Sequence, residues 1–547
     1  MSIKIIITGL IFCLSGMVSF AQKDTAKKQT IDITSSYKPV LRNAVKINFS
    51  AANLSADTSK PYLTYTIPDQ NLFYTYQPMS LKPLALTLDT GMELGARNFI
   101  KVGFGNYTTP FVSAGFSFGD GKKSLINLYA NYISSNGKID YQDYTKFNAK
   151  LSGSFFTARN EVYGSAGFSQ NNYYLYGYNH QDYTYTKAYL LQQFSDIKLK
   201  VGFKNKDVNA TGINYNPNLE INVFSNQNKL TENSIIADLP AEKTINDVLS
   251  IKLAVKADLT RYSTKNHIPD NISVHNDIYA IAPELIYAQP LLSVHVGITP
   301  TWNNSDLSVL PNIYAEAQIA DKPFLVQGGW IGRFIKNTYQ NLSVINPYMA
   351  TIVTQQNTKE TEVYGGLKAS VGKHFNFSGT ASFISYENYP FFVNDTTTGS
   401  SGNTFKIIND GKVSDFRIHG DMSFISQDKF TVTGGLTFNG YTGLDNGDKA
   451  WGTIPLQLNA SLRWWAYKQV LIKSDLMSFS STSYLLPGNV TRTLSGGFDL
   501  SAGVEVVITK KVSAWFDINN ILDDKYQRWY MYEVYGLNAL VGVIFKF

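Results

Sequence analysis

The chain has 547 residues, with 48 Lys or Arg, 42 Asp or Glu and a formal net charge of +6. The basic residues are spread along the chain and form no block, so the charge gives no argument for a nucleic-acid partner. Aromatic residues make up 14% and charged residues only 16%, which points away from an average soluble domain. The single cysteine, Cys13, lies in the N-terminal apolar run, which excludes disulfides and thiolate sites elsewhere.

The N-terminus has the pattern of a secretory signal peptide. Lys4 precedes an apolar run from Ile5 to Phe20, and Ala21 is the small residue that a cleavage site requires. We therefore expect residues 1–21 to be removed. No later apolar run is long enough for a membrane helix, so export leaves the periplasm, the outer membrane or the outside as destinations.

Residues 22–96 differ from the rest of the chain. They begin with a polar, Lys-rich stretch and continue with few alternating runs and with prolines at Pro39, Pro61, Pro68, Pro78 and Pro83. Because proline cannot donate a hydrogen bond to a strand ladder, this pattern predicts extended, irregular chain. We expect an N-terminal segment that lies in the periplasm or fills the lumen of the domain that follows.

From residue 97 to residue 547 the sequence alternates between apolar and polar side chains. Examples are Phe147–Phe155, Leu456–Trp464 and Leu494–Ile508, each with apolar residues on one face and polar or small residues on the other. A period of two predicts strands, and two such different faces predict two different solvents. The fold class is therefore all-β, as a transmembrane antiparallel β-barrel. A soluble sandwich or propeller also alternates, but the segment lengths and the terminal Phe547 favour the membrane barrel.

The connections between strands alternate in length. Tight turns are predicted at sites such as Gly119–Lys123, Ser195–Asp196 and Thr509–Lys511, and long loops rich in Tyr, Asn and Gly at sites such as Lys336–Glu360 and Val393–Lys412. Short turns at one rim and long loops at the other are typical of outer-membrane barrels. Counting strands gives about 22, and 14 or more would fit; the stretch Ser225–Thr244 is too long for a standard turn.

The end of the chain carries a more specific pattern. Asn520, Ile521, Leu522, Asp523, Lys525 and Tyr526 follow the penultimate strand, and the last strand ends on Phe545, Lys546 and Phe547. This ending resembles that of the TonB-dependent receptors. The resemblance implies a 22-stranded outer-membrane barrel whose closing strand is recognised by the barrel assembly machinery, with Phe545 and Phe547 as the insertion signal. That family carries a globular plug before the barrel, whereas residues 22–96 are too short and irregular for one, so we expect a plugless chain.

Catalytic, cofactor and metal sites are not predicted. The six histidines show no ligand spacing, and no nucleophile elbow or phosphate loop occurs, so we expect no enzyme activity. Two loops could instead form an aromatic contact surface for sugars or proteins, or could simply pack against each other or form the interfacial girdle. Their residues are Tyr173, Tyr174, Tyr176, Tyr178, Tyr526, Trp529, Tyr530 and Tyr532. The residues expected to face the lumen are Lys150, Arg463, Asp499, Glu505 and Asp517.

Two functions remain open from the sequence. The first is a receptor-like or porin-like barrel for passage of a solute across the outer membrane of a gram-negative bacterium, with the N-terminal segment and the C-terminus periplasmic. The second is a non-transporting accessory or structural subunit of an outer-membrane assembly, secretion or uptake complex. The expected partners are outer-membrane lipid, the assembly machinery during biogenesis and, in the second case, other outer-membrane or periplasmic proteins.

Overall fold

The computed structural model describes residues 98–547 apart from positions 208, 210, 265–271, 320–323, 373, 396–400, 427–428, 446–448 and 487–489. The expected signal peptide 1–21 and the N-terminal segment 22–96 lie outside the described residues and stay predictions. Within the described ranges, no helix is long and apolar enough to cross a membrane.

Regular structure in these ranges is almost entirely strand. The helices are α1 Lys187–Leu190 and α2 Tyr339–Ile345. The strands are β1 Phe99–Gly105, β2 Thr109–Gly119, β3 Ser124–Ser135, β4 Tyr144–Phe156, β5 Asn160–Tyr174, β6 Leu191–Asn205, β7 Ile213–Tyr215, β8 Asn218–Asn226, β9 Thr231–Asn246, β10 Leu249–Ser263, β11 Ser273–Gln289, β12 Leu292–Asn303, β13 Asp306–Gln318, β14 Phe324–Ile335, β15 Thr358–Val371, β16 Phe375–Asn394, β17 Phe405–Ser426, β18 Phe430–Thr442, β19 Leu456–Tyr467, β20 Val470–Phe479, β21 Thr482–Leu486, β22 Val490–Leu494, β23 Gly497–Thr509, β24 Val512–Asn519, β25 Gln527–Trp529, β26 Tyr532–Glu533 and β27 Asn538–Lys546.

The long strands form one closed antiparallel sheet. Each pairs with its successor along the chain, and β27 pairs back with β1 from Phe99↔Lys546 to Gly105↔Leu540. Both β7 and β8 pair with β9 and are two parts of one crossing, so the 23 strands of the sheet make 22 crossings of the wall. The predicted barrel and its strand number are confirmed. The two small pairs, β21–β22 and β25–β26, lie in loops.

The two faces of the wall have opposite character. In β19 the side chains of Leu456, Leu458 and Trp464 point outward and are exposed, whereas the alternate residue Arg463 points inward to Asp475. A row of exposed apolar side chains is stable only against lipid, because each would cost free energy in water. The alternation of the sequence therefore records the lipid side and the lumen side of each strand.

The two rims differ as the sequence predicts. One end, which we call the turn rim, carries tight connections such as residues 120–123, 157–159 and 510–511, and Phe547. The other end, the loop rim, carries the long connections 175–190, 336–357, 443–455, 480–496 and 520–537.

Two local predictions are wrong, the turn at 195–196 and the extent of the loop 393–412, and the stretch 225–244 is explained by a strand. The pair Ser195–Asp196 is not a turn but lies inside β6, where Asp196 faces the lumen. The error arises because polar residues are typical both of turns and of lumen-facing strand positions. The stretch 225–244 is mostly β9, which follows the four-residue connection 227–230. The expected long loop 393–412 is shortened because β16 and β17 extend beyond their neighbours.

Candidate functional site

The largest buried cluster among the described residues lies inside the barrel, mostly towards the loop rim. It contains Tyr173, Tyr176, Tyr178, Trp529 and Tyr532, all predicted as loop-surface residues, and all five are buried. Of the other three, Tyr174 lies under the ammonium of Lys187, while Tyr526 and Tyr530 pack on Phe479 and Tyr484. The five side chains are covered by other residues of the cluster, as Trp529 is by Phe392 and Phe405, and do not form an open contact surface. We call this cluster the mouth core.

Three different loops meet at the centre of the mouth core. The rings of Tyr348 and Tyr532 stack with centroids 3.6 Å apart, and Tyr176 meets Tyr532 edge-on at 4.9 Å. The Tyr176 hydroxyl donates to the carbonyl of Glu533 at 2.7 Å. Burial disfavours the phenolate and raises the pKa of Tyr176, Tyr348 and Tyr532 well above its ordinary value.

A fourth loop joins from the far side of the barrel. Asn403, between β16 and β17, donates through its amide to the carbonyl of Leu175 at 3.4 Å and accepts from the Tyr532 hydroxyl. Counted around the ring, β5 and β6 are the fifth and sixth crossings, and β16 and β17 are the fifteenth and sixteenth of 22. Loops that leave almost opposite sides of the wall therefore touch, so the protein's own loops pack across the mouth.

The connection 336–357 contributes α2 to this arrangement. Thr338 is a favourable N-cap, and its hydroxyl accepts from the amide of Asn341 at 3.1 Å. The carboxylate of Glu232, on β9, accepts from the amides of Tyr339 at 2.8 Å and Gln340 at 3.1 Å. These amides have no partner within the helix, and the positive end of the helix dipole favours an anion there. Glu232 therefore anchors the start of α2 to the wall.

Further hydrogen bonds hold the rest of this connection. Gln355 donates to Glu232 at 2.7 Å, and the Tyr262 hydroxyl donates to the carbonyl of Ile352 at 2.6 Å. Asn276 and Asn357 exchange two amide hydrogen bonds at 2.9 and 2.6 Å. Glu232, with 1% of its surface exposed, belongs to a buried polar network that the sequence gives no sign of, because its members are far apart along the chain.

The predicted lumen residues lie on the inner face of the wall, and most of them are paired. Arg463 binds Asp475 at 3.1 Å, and Asp517 lies 3.6 Å from the ammonium of Lys101. Glu505 binds Lys473 at 3.7 Å and Lys546 at 3.1 Å. Because opposite charges alternate, this part of the lumen wall shows no dominant sign. Two further predicted residues differ: Asp499 accepts from the Tyr526 hydroxyl at 3.2 Å, and Lys150 is exposed on β4.

Trp515 marks the seam where β27 closes on β1, and the sequence did not single it out. Gly103 and Gly542 are direct partners across this seam. A Cβ on either glycine would clash with the indole, so the two glycines make room for it. The ammonium of Lys101 lies 3.9 Å from the ring centroid, a cation–π contact. The glycine pair could be recognised only once the register was known.

Within the described ranges, no group of three or more His, Cys, Asp or Glu is placed to hold a metal ion.

The barrel is similar to solved structures of outer-membrane receptors. The FrpB iron transporter from Neisseria meningitidis aligns with a TM-score of 0.64 at 8% identity, over 84% of this chain and 82% of that chain. The pyoverdine outer membrane receptor FpvA from Pseudomonas aeruginosa PAO1, bound to pyoverdine, aligns with a TM-score of 0.62 at 12% identity, over 83% and 78%. The siderophore receptor PirA from Acinetobacter baumannii aligns with a TM-score of 0.63 at 10% identity, over 82% and 80%. This chain has the receptor-barrel fold. No protein-family model and no curated protein sequence matches it.

The receptor-barrel fold is the one that the C-terminal resemblance implied. In this barrel Phe545 and Phe547 are exposed on the lipid side of the turn rim, and the amide of Phe547 donates to the carbonyl of Asn98 at 3.0 Å. Their role as an insertion signal stays a prediction.

The barrel also displays exposed aromatic side chains at the loop rim. Tyr183, Tyr185 and Tyr189 form a column of nearly parallel rings, with centroids 6.1 and 5.1 Å apart, on the connection 175–190. Tyr183 is 39% and Tyr189 68% exposed. We call these three residues the tyrosine column. It is an open aromatic surface on a loop that helps to close the mouth.

Proposed function

We propose that the protein is a receptor-type barrel of the outer membrane that takes up a solute through a mouth closed at rest by its own loops. The observation that carries the proposal is the mouth core, in which loops from almost opposite sides of the wall pack together. The named proteins of the same fold, an iron transporter and receptors for pyoverdine and siderophores, support uptake as the class of function.

The proposal includes an orientation. Short turns typically face the periplasm and long loops the outside, so the turn rim and Phe547 would be periplasmic and the mouth core external. The tyrosine column would then meet the solute first, because aromatic rings with polar tips bind sugars, aromatic groups and proteins. Residues 22–96 would lie in the periplasm or in the lumen, in place of a plug.

Passage requires that the mouth core open. The replacement of both Tyr348 and Tyr532 by Ala would remove the stacked pair at its centre without touching the wall. We expect the purified wild-type barrel to be largely silent in planar bilayers and this double variant to conduct. Replacement of Tyr467, an exposed residue of the turn rim, by Ala is the matched control and should stay silent.

The alternative function gives a different result. If the double variant, both with and without residues 22–96, is folded, as judged by the heat-dependent mobility typical of barrels, and is as silent as the wild type, then opening the mouth exposes no path. That outcome would reject uptake through this lumen and leave the non-transporting accessory subunit. Co-purification of a stable partner from native outer membranes would then support the accessory role.

A further inference from the structure

Basic residues are concentrated on one arc of the turn rim. Six tight connections that follow one another around the ring, from β17–β18 through the seam to β6–β7, carry them. The residues are Lys429, Lys468, Lys510, Lys511, Lys122, Lys123, Arg159 and Lys206. We call this set the basic arc. Acidic residues among the described positions of the same connections are fewer, namely Asp120 and Asp207.

The rest of the protein does not repeat this imbalance. In the remaining connections of the turn rim, the described residues include one acidic side chain, Asp247, and no lysine or arginine. At the loop rim, basic and acidic residues occur in nearly equal numbers. Among the described connections, an excess of basic over acidic residues therefore occurs in the arc that straddles the seam, although the chain reaches this arc at six separate places.

The basic arc also differs from the lysines of the lumen. Lys101, Lys473 and Lys546 are neutralised by Asp517 and Glu505 on the inner wall. The residues of the basic arc are all exposed, and none of them takes part in an ion pair between residues that the structure describes. The Lys206 ammonium donates to the carbonyl of Thr157 at 2.7 Å, a bond to a neutral group, so the charge of the basic arc is available to a partner.

Lipid-facing side chains stand next to these turns. The strands that lead into the arc end in outward, exposed apolar residues, namely Phe118, Phe155, Phe203, Ile425, Trp464 and Ile508. A long basic side chain that begins at the end of this apolar belt extends into the headgroup layer. Its ammonium or guanidinium group is then at the level of lipid phosphates, where basic residues bind anionic lipid.

We propose that the basic arc is a binding site for the headgroups of anionic phospholipids in the leaflet at the turn rim. The lipid would hold the seam side of the barrel in that leaflet, because the phosphates neutralise the arc while acyl chains cover the adjacent apolar belt. The site does not depend on uptake or on which solute is carried.

The test measures lipid preference at the barrel surface. The barrel is reconstituted in phosphatidylcholine bilayers with spin-labelled phosphatidylglycerol or spin-labelled phosphatidylcholine, and the motionally restricted fraction gives their relative association. The variant carries Gln at Lys122, Lys123, Lys510 and Lys511. The control carries Gln at Lys138 and Lys525, which lie on loop-rim connections.

We expect the wild type to associate with phosphatidylglycerol several-fold more than with phosphatidylcholine. Each basic residue that contacts a phosphate should raise this ratio by up to about five-fold, equivalent to about 1 kcal/mol. The preference should fall towards one in the four-residue variant and in high salt, and should persist in the control. Equal association of both lipids with the wild type would overturn the proposal. An unchanged preference in the folded four-residue variant would do the same.

Discussion

Glu232 offers the sharpest test of how the mouth is held closed. Its carboxylate accepts two amide hydrogen bonds from the first residues of α2 and one from Gln355. Replacement by Gln keeps the size of the side chain but removes the charge and turns one acceptor into a donor. The wall remains intact, because Glu232 contributes only its side chain to the network.

The magnitude follows from the three hydrogen bonds. A bond to a charged group contributes about 1.5–3 kcal/mol and a neutral one about 0.5–1.5, so three bonds lose about 3 kcal/mol together. The neutral amide is easier to bury, which offsets part of this loss. We estimate a net loss of about 2 kcal/mol, which corresponds to about a 30-fold rise in the population with α2 detached.

Hydrogen exchange measures this population directly, because the amides of Tyr339 and Gln340 exchange only after they leave Glu232. Mass spectrometry of peptides from residues 336–357 should show protection lowered about 30-fold in Glu232→Gln. The matched control is Glu220→Gln on the neighbouring strand β8, whose carboxylate pairs with Lys200 at 3.8 Å. Equal protection of this segment in both variants would refute the anchoring role of Glu232.

Three further predictions concern the seam, the lumen and the mouth. Gly542→Ala should lower the free energy of unfolding in urea by about 1–3 kcal/mol, because the new Cβ meets Val102 and Trp515. In the control Gly365→Ala the new Cβ enters open space, and the free energy of unfolding should change by no more than about 0.5 kcal/mol. Equal changes in both variants would contradict the seam packing. Arg463→Met should lower the free energy of unfolding by about 3–5 kcal/mol in the same assay, because it leaves the buried Asp475 carboxylate without its cation. A decrease no larger than that in the control variant Arg159→Met, at an exposed position, would show that the pair contributes little. Iodination at pH 8, followed by peptide mass spectrometry, should modify Tyr189 first and spare Tyr176 and Tyr532. Burial raises the pKa of Tyr176 and Tyr532 and so lowers their fraction of reactive phenolate. Comparable rates at Tyr532 and Tyr189 would mean that the mouth is open.

The barrel itself could be predicted because its signals are local. A strand has a period of two, and each residue lies against either lipid or lumen, so alternation such as that of Leu456–Trp464 reports both the strand and its faces. The same local information gave the inward positions of Arg463, Glu505 and Asp517, and the difference between tight turns and long loops. Predictions of this kind failed where polar lumen residues resemble turn residues, as at Asp196 in β6.

The loops could not be predicted in the same way, because a tyrosine in a loop has no periodicity that tells whether it is covered. Tyr176 and Tyr189 lie in one connection and look equivalent in sequence, yet one is buried and the other is the most exposed member of the tyrosine column. Which of them is open depends on Tyr348 and Tyr532, which are brought by other loops.

What the sequence determined by itself is the barrel, with its lipid-facing and lumen-facing residues and its two unlike rims, because these follow from short-range alternation. Only the tertiary structure decided that Glu232 meets α2, that Gly103 faces Gly542 beneath Trp515, and that scattered turns form one basic arc. Each of these depends on how the strands pair and the sheet closes, which brings together residues that are far apart along the chain.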